Sequence, residues 1–206
     1  MISGFIVKKG FMTSVYTEDG KRIAVTKCAA LPIKVTQIKT TEKDGYQAVQ
    51  VAYGIRKKLD KATAGKLSKA KIDLKPQHFK EFKALADQEI EIGSDITIDS
   101  VFAVGDTVDA TGTTKGRGFA GVIKRHGFKK QPIKNASDRI RAPGSIGAQT
   151  PGKVVKGKKM PGHMGNVNET VTFLKVIDVN KETNEILISG SIPGCINSWV
   201  TISKRS

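Results

Sequence analysis

The chain has 206 residues, of which 38% are hydrophobic, and carries a formal charge of +16 from 35 Lys and Arg against 19 Asp and Glu. That length holds one domain or two small ones, and the charge asks for an anionic partner, nucleic acid first and an anionic membrane surface second. No run of eighteen apolar residues offers a membrane-spanning helix, and the opening MISGFIVKKGF lacks the pattern of a secretory signal, so none is expected.

Residues 1–54 read as β structure. Phe11 to Thr17, the turn Glu18-Asp19-Gly20 and Arg22 to Ala29 form a predicted hairpin. Lys34 to Lys39 alternates, and a turn at Glu42 to Gly45 leads into YQAVQVAYG, where Val49, Val51 and Tyr53 share a face. Residues 55–92 change character. IRKKLDKATAGKLSKAKIDL is rich in Lys and Ala, and from Pro76 onward Phe79, Phe82 and Leu85 fall at helical spacing. This stretch is predicted to be an inserted helical segment. Ile96 to Val101 and Thr107 to Ala110 read as strands again. So do Val171 to Val179, Ile186 to Ser189 and Trp199 to Ser203, with a turn from Asn180 to Glu185. Strands therefore flank residues 111–170 on both sides. The simplest architecture is mainly β, a single barrel-based domain over 1–206 whose early and late strands close together, which also removes exposed strand edges.

Residues 111–170 are the distinctive part. They hold thirteen Lys or Arg against Asp138 and Glu169, together with eleven of the 21 glycines. So few apolar residues and one sign of charge cannot build a core alone. Thirteen cations fit a polyphosphate ligand, and glycines between them let the backbone approach it closely. The stretch reads as a basic arm ordered by nucleic acid. Lys115 and Arg117 lie among Gly116, Gly118 and Gly121, with Phe119 and Val122 placed to anchor the turn that follows. Lys124, Arg125, Lys129, Lys130 and Lys134 continue the basic run, then Arg139 and Arg141. Lys153, Lys156, Lys158 and Lys159 follow beyond Gly152. His163 is a candidate base contact. Gln149, an uncharged amide among cations, offers both a donor and an acceptor to a base or ribose edge. Pro151 biases the two residues before it toward an extended shape.

The competing chemistries are weaker. Gly116, Gly118 and Gly121 spell the dinucleotide-binding spacing, but the preceding DATGTTK is no buried strand and VIKRHGFKK gives at most two helical turns. Gly112 to Gly118 lacks the ending of a phosphate-binding loop. Cys28 and Cys195 read as reduced thiols, and His78, His126 and His163 form no metal pattern. Asp106 and Asp109 read as turn and solvent groups. No catalytic constellation, metal, cofactor or small-molecule substrate is expected. An enzyme acting on RNA would need a base or nucleophile in the arm, and a membrane-surface protein would need an amphipathic helix with bulky apolar residues. Only Phe119 and Phe128 are aromatic in the arm, too few to stack a single strand. No recognition helix for duplex DNA is visible in the basic stretch. Threading through folded RNA by shape fits better.

Two long words, KGRGFAGVIKRHGF and RAPGSIGAQTPGKVVKGKKMPGHMGN, together with MTSVYTEDGKRIAVT and VDATGTTKGRGF, resemble the universal large-subunit ribosomal protein number three in its bacterial form. The resemblance runs the whole length of the chain. It implies a Greek-key barrel of the translation-protein type with a long central extension. It implies binding to 23S ribosomal RNA, neighbouring large-subunit proteins, an early role in subunit assembly, and an extension tip near the peptidyl transferase centre. It implies a structural role in the cytoplasmic ribosome, without catalysis. Some relatives carry a methylated glutamine in a Gln-Thr-Pro context, which makes Gln149 a candidate for methylation. Two departures stand out: Ile140 occupies a position usually held by histidine, and the tip between Gly147 and Thr150 is one residue shorter than usual.

Overall fold

A computed structural model describes residues 2–84, 90–135, 138–150 and 152–205, without the side chain of Asn135. Leu85 and Pro151 lie outside the described residues. In chain order the elements are β1 (Gly4–Tyr16), β2 (Arg22–Ala29), β3 (Ile33–Lys39), α1 (Thr41–Asp44), β4 (Ala48–Tyr53), α2 (Lys61–Lys69), β5 (His78–Phe82) and β6 (Asp95–Ile96). There follow β7 (Thr107–Thr113), β8 (Phe119–Ala120), α3 (Val122–His126), β9 (Gly162–His163), β10 (Asn168–Asn180), β11 (Glu185–Ser189) and β12 (Trp199–Lys204). The protein is mainly β. It divides into two compact units, residues 1–113 with 168–206, and residues 114–167.

In the first unit six antiparallel strands pair in a closed ring, β1-β12-β7-β10-β11-β2. Strict alternation builds its interior. Val108 and Ala110 of β7, Ile186 and Ile188 of β11, and Val200 and Ile202 of β12 are buried, while the residues between them are partly exposed. Each Val or Ile among them, fully buried, contributes roughly 1.5–3 kcal/mol. A second sheet, β5-β4-β3-β6, places Val35, Val49, Val51 and Phe82 in the same core cluster as Phe5 and Val7 of β1. Gly4 permits this junction, because a Cβ there would sit 2.9 Å from the Phe82 ring and 2.5 Å from the Ile202 carbonyl. Lys9 fastens the loop before β12 by donating to the carbonyls of Ile192 at 2.6 Å and Gly194 at 2.9 Å.

The hairpin expected at the start is present, with Tyr16 paired to Arg22 and Gly20 at φ +75°, as its tight turn demands. Two expectations are corrected. The helix predicted from Pro76 is the strand β5, which pairs with β4 from Tyr53–His78 to Val49–Phe82. Phe82 faces the core, whereas Phe79 is partly exposed with the Lys66 ammonium 5.1 Å from its ring centre. Two aromatics three apart satisfy a helical face on paper, but a partner strand some thirty residues earlier decides the matter. Within 55–92, α2 is the helix described. Ile96 to Val101 is likewise no strand beyond Ile96. The chain turns through a short 3₁₀ helix at Ile98–Ser100, burying Ile98 and Val101 three apart.

Asp106 and Asp109 are structural partners rather than solvent groups. Asp106 accepts the Ala103 N–H at 3.0 Å and pairs with Lys204 at 2.8 Å. Those two donors, the backbone one first, hold its carboxyl below the usual range. Both cysteines are free. Burial pushes the Cys28 thiol up to about 12, and Cys195 is exposed.

Candidate nucleic-acid interface

The second unit, Thr114 to Val167, contains all thirteen arm cations and one acid, Asp138, a net +12 of the chain's +16. Its two ends are zipped by backbone. Thr114 donates to Val167 at 2.9 Å, Asn166 to Thr114 at 3.2 Å, Arg117 to Met164 at 2.8 Å, and Met164 to Gly118 at 2.9 Å. The ladder continues into β8 and β9, where Phe119 faces His163 and Ala120 faces Gly162. The close approach has a sequence cause. A Cβ on Gly165 would lie 2.1 Å from the Lys115 carbonyl oxygen, and its φ of +75° is one that L side chains rarely adopt.

Beyond the zipper, α3 makes a short helix closed by Gly127 in the left-handed conformation. Arg125 reaches from α3 to donate to the Met160 carbonyl at 2.8 Å, and a His126 ring nitrogen lies 3.0 Å from the same oxygen. This pins the returning chain. Within the unit only Ala120 and Val122 are buried among the described residues. Phe119 is therefore not the anchor predicted for it: it is 78% exposed, and Val122 alone does that work.

Between Lys129 and Lys159 every described residue is exposed apart from the half-buried Ile140. Local turns order the backbone instead. Ala142 donates to Arg139 at 3.0 Å, Gly152 to Gln149 at 2.8 Å, and Lys158 to Val155 at 3.2 Å. Gln131 donates to Ile140 at 3.3 Å, tying the outgoing and returning chain.

The electrostatics follow from the composition. Among the described residues no carboxylate pairs with Lys115, Arg117, Lys124, Lys129, Lys130 or Lys134. The same holds for Arg141, Lys153, Lys156, Lys158 and Lys159. In the first unit, by contrast, cations are paired with acids, for example Lys27–Glu185 at 2.8 Å and Lys39–Glu81 at 3.2 Å. Ile133 and Val155 are also 78% and 65% exposed. A surface with uncompensated cations and unpacked aliphatics is shaped for something outside the chain. His163 stands exposed on β9, and Gln149 is exposed with its carbonyl used in the turn to Gly152. The pinning role of Arg125 was not readable from sequence, because its partner is a backbone carbonyl 35 residues away.

The family model for ribosomal protein L3 matches residues 33–193. The chain is 43% identical over 206 residues to the large ribosomal subunit protein uL3 of Brachyspira pilosicoli, covering 98% of this chain and 94% of the relative. It is 47% identical over 208 residues to the protein of the same name from Thioalkalivibrio sulfidiphilus, covering 98% and 96%. To that of Syntrophobacter fumaroxidans it is 42% identical over 212 residues, covering 100% and 99%.

Proposed function

We propose, since the chain belongs to the ribosomal protein L3 family, that this structural protein of the large ribosomal subunit works by binding 23S ribosomal RNA. The family is one of structural proteins and not of enzymes. The closed ring of six strands is read as the Greek-key barrel of the translation-protein type. Residues 111–170 are read as the arm that enters between RNA helices toward the peptidyl transferase centre. The protein acts in the cytoplasm, in the ribosome, beside neighbouring large-subunit proteins, and joins the subunit early in assembly.

The observation that carries this reading is the +12 of Thr114 to Val167, eleven of whose thirteen cations, those named above, have no carboxylate partner among the described residues. Phosphates brought together by RNA folding repel one another, and a strand of exposed Lys and Arg relieves that repulsion while releasing counter-ions. The cations from Lys115 to Lys159 are the assigned contacts, with His163 and Gln149 as neutral ones. Co-sedimentation tests the whole. The protein stays with large subunits through a high-salt wash, and its release into the supernatant overturns the reading.

Gln149 carries a finer proposal, methylation of its side-chain amide at the exposed tip. Mass spectrometry of the native tryptic fragment following Arg141 decides it, and an unshifted mass removes the modification. The Gln149→Ala variant assembles but slows late maturation, because one tip contact is lost and the phosphate contacts remain.

A further inference from the structure

Midway along β10 the ladder to β7 slips between Val171 and Leu174. Phe173 lies in that slip with φ +59°. A bulky L residue in the left-handed region is an outlier, because its Cβ crowds the next carbonyl, and Gly or Asn is the usual occupant. Core packing does not explain the choice, since Phe173 is 68% exposed. The ring is instead held from below. The Phe173 N–H, which the slip leaves without a ladder partner, donates to Asp109 Oδ1 at 3.1 Å. Arg205 lays its guanidinium 3.7 Å from the ring centre, and its Nη1 donates to the same Asp109 oxygen at 3.4 Å. Arg205 is itself placed by its N–H, which donates to the Thr107 carbonyl at 3.0 Å. Residues on β7, on β10 and after β12 thus combine to present one aromatic ring to solvent.

Strain held in place by surrounding structure points to function, and a ring left 68% exposed adds little to the core that would account for it. We propose that Phe173, backed by Arg205 and Asp109, is a stacking platform for an unpaired base of the ribosomal RNA. It rests on the RNA-binding reading above and adds to it a contact outside the basic arm. The chemistry selects a nucleotide over a protein side chain. The feature is a single flat ring beside a cation, whereas a protein hot spot needs a pocket that closes around its anchor. An unpaired nucleotide supplies a π face for the ring and a phosphate for the guanidinium donors that Asp109 leaves unused.

Zero-length ultraviolet crosslinking of native large subunits, read by mass spectrometry, tests the platform. The tryptic peptide from Met160 to Lys175 carries a nucleotide localised to Phe173. Peptides from the arm serve as the internal reference for RNA binding as such. Nucleotide adducts on the arm with none on Phe173, or a protein crosslink at Phe173, overturn the platform and leave the wider reading standing. Absence of adducts on both overturns both. The second arm uses Phe173→Gly, which removes the ring and accepts the same backbone conformation. Its affinity for deproteinised large-subunit RNA falls about tenfold, as expected for one lost stack, while its thermal midpoint holds or rises. Unchanged affinity, or a lowered midpoint with unchanged affinity, makes the ring structural and refutes the proposal.

Discussion

Replacing Lys153, Lys156, Lys158 and Lys159 together by alanine isolates the electrostatic term of RNA binding. All four are exposed and none has a carboxylate partner among the described residues, so their removal leaves no orphaned acid and no cavity. The fold of the first unit is therefore unchanged, within the ±0.5 kcal/mol usual for surface substitutions. If each lysine neutralises one duplex phosphate, the slope of log K against log salt flattens by about 3.6; for single-stranded contacts it flattens by about 2.8. Across the fourfold rise from 50 to 200 mM salt, the advantage of the native protein over the variant then shrinks by about 150-fold or about 50-fold respectively. The assay is filter binding or fluorescence anisotropy on deproteinised large-subunit RNA at four or more salt concentrations. An equal affinity loss at every salt concentration refutes the reasoning, because it means the lysines act by shape or by neutral hydrogen bonds. An unchanged constant shows that this limb does not meet RNA.

Three further outcomes are expected. Gly165→Ala forces a Cβ within 2.1 Å of the Lys115 carbonyl oxygen at φ +75°, so amide exchange at Arg117 and Met164 accelerates at least tenfold; Gly121→Ala, with open space and φ −69°, leaves both amides as they were. The Asp106 carboxyl is held low, so its stabilisation is present above its unfolded value of about 3.9 and is lost as pH falls through the lower folded value; the melting temperature of Asp106→Asn therefore falls less steeply than that of the native protein below about pH 4. Limited trypsin digestion of the free protein cuts first between Lys129 and Lys159, and the paired remainder, residues 1–113 with 168–206, survives; early cleavage after Lys27, within the strand ring, contradicts this.

What was legible in the sequence was what short stretches determine. The hairpin of β1 and β2 announces itself through Asp19-Gly20 and the runs on either side. The alternation of β7, β11 and β12 survives intact from sequence to burial. What was not legible depends on partners far along the chain. Phe79 and Phe82 read as a helical face until β4 claims them for a sheet edge. Asp109 looked like a solvent group because its two donors, Phe173 and Arg205, lie 64 and 96 residues away. Phe173 gave no hint of a left-handed backbone, since phenylalanine is not a residue type that signals one.

The basic segment could be picked out of the sequence for a different reason. Charge and glycine content are properties of composition, so counting thirteen cations against few acids finds the segment without any knowledge of its fold. The same composition denies the far part of the segment a core. From Lys129 to Lys159 no described side chain is buried, whereas the turn from Gly118 to His126 buries Ala120 and Val122 and is tied back by Arg125. Burial thus decreases along the segment as cations accumulate. Under the proposed function, the RNA would offset the repulsion among those cations and cover the exposed Ile133 and Val155. The near part buries side chains of its own, whereas the far part has backbone turns without buried side chains among the described residues. Substitutions in the near part, above all at Gly165 and Arg125, are therefore expected to change the stability of the free protein, while under the proposed function those in the far part are expected to change RNA binding and its dependence on salt.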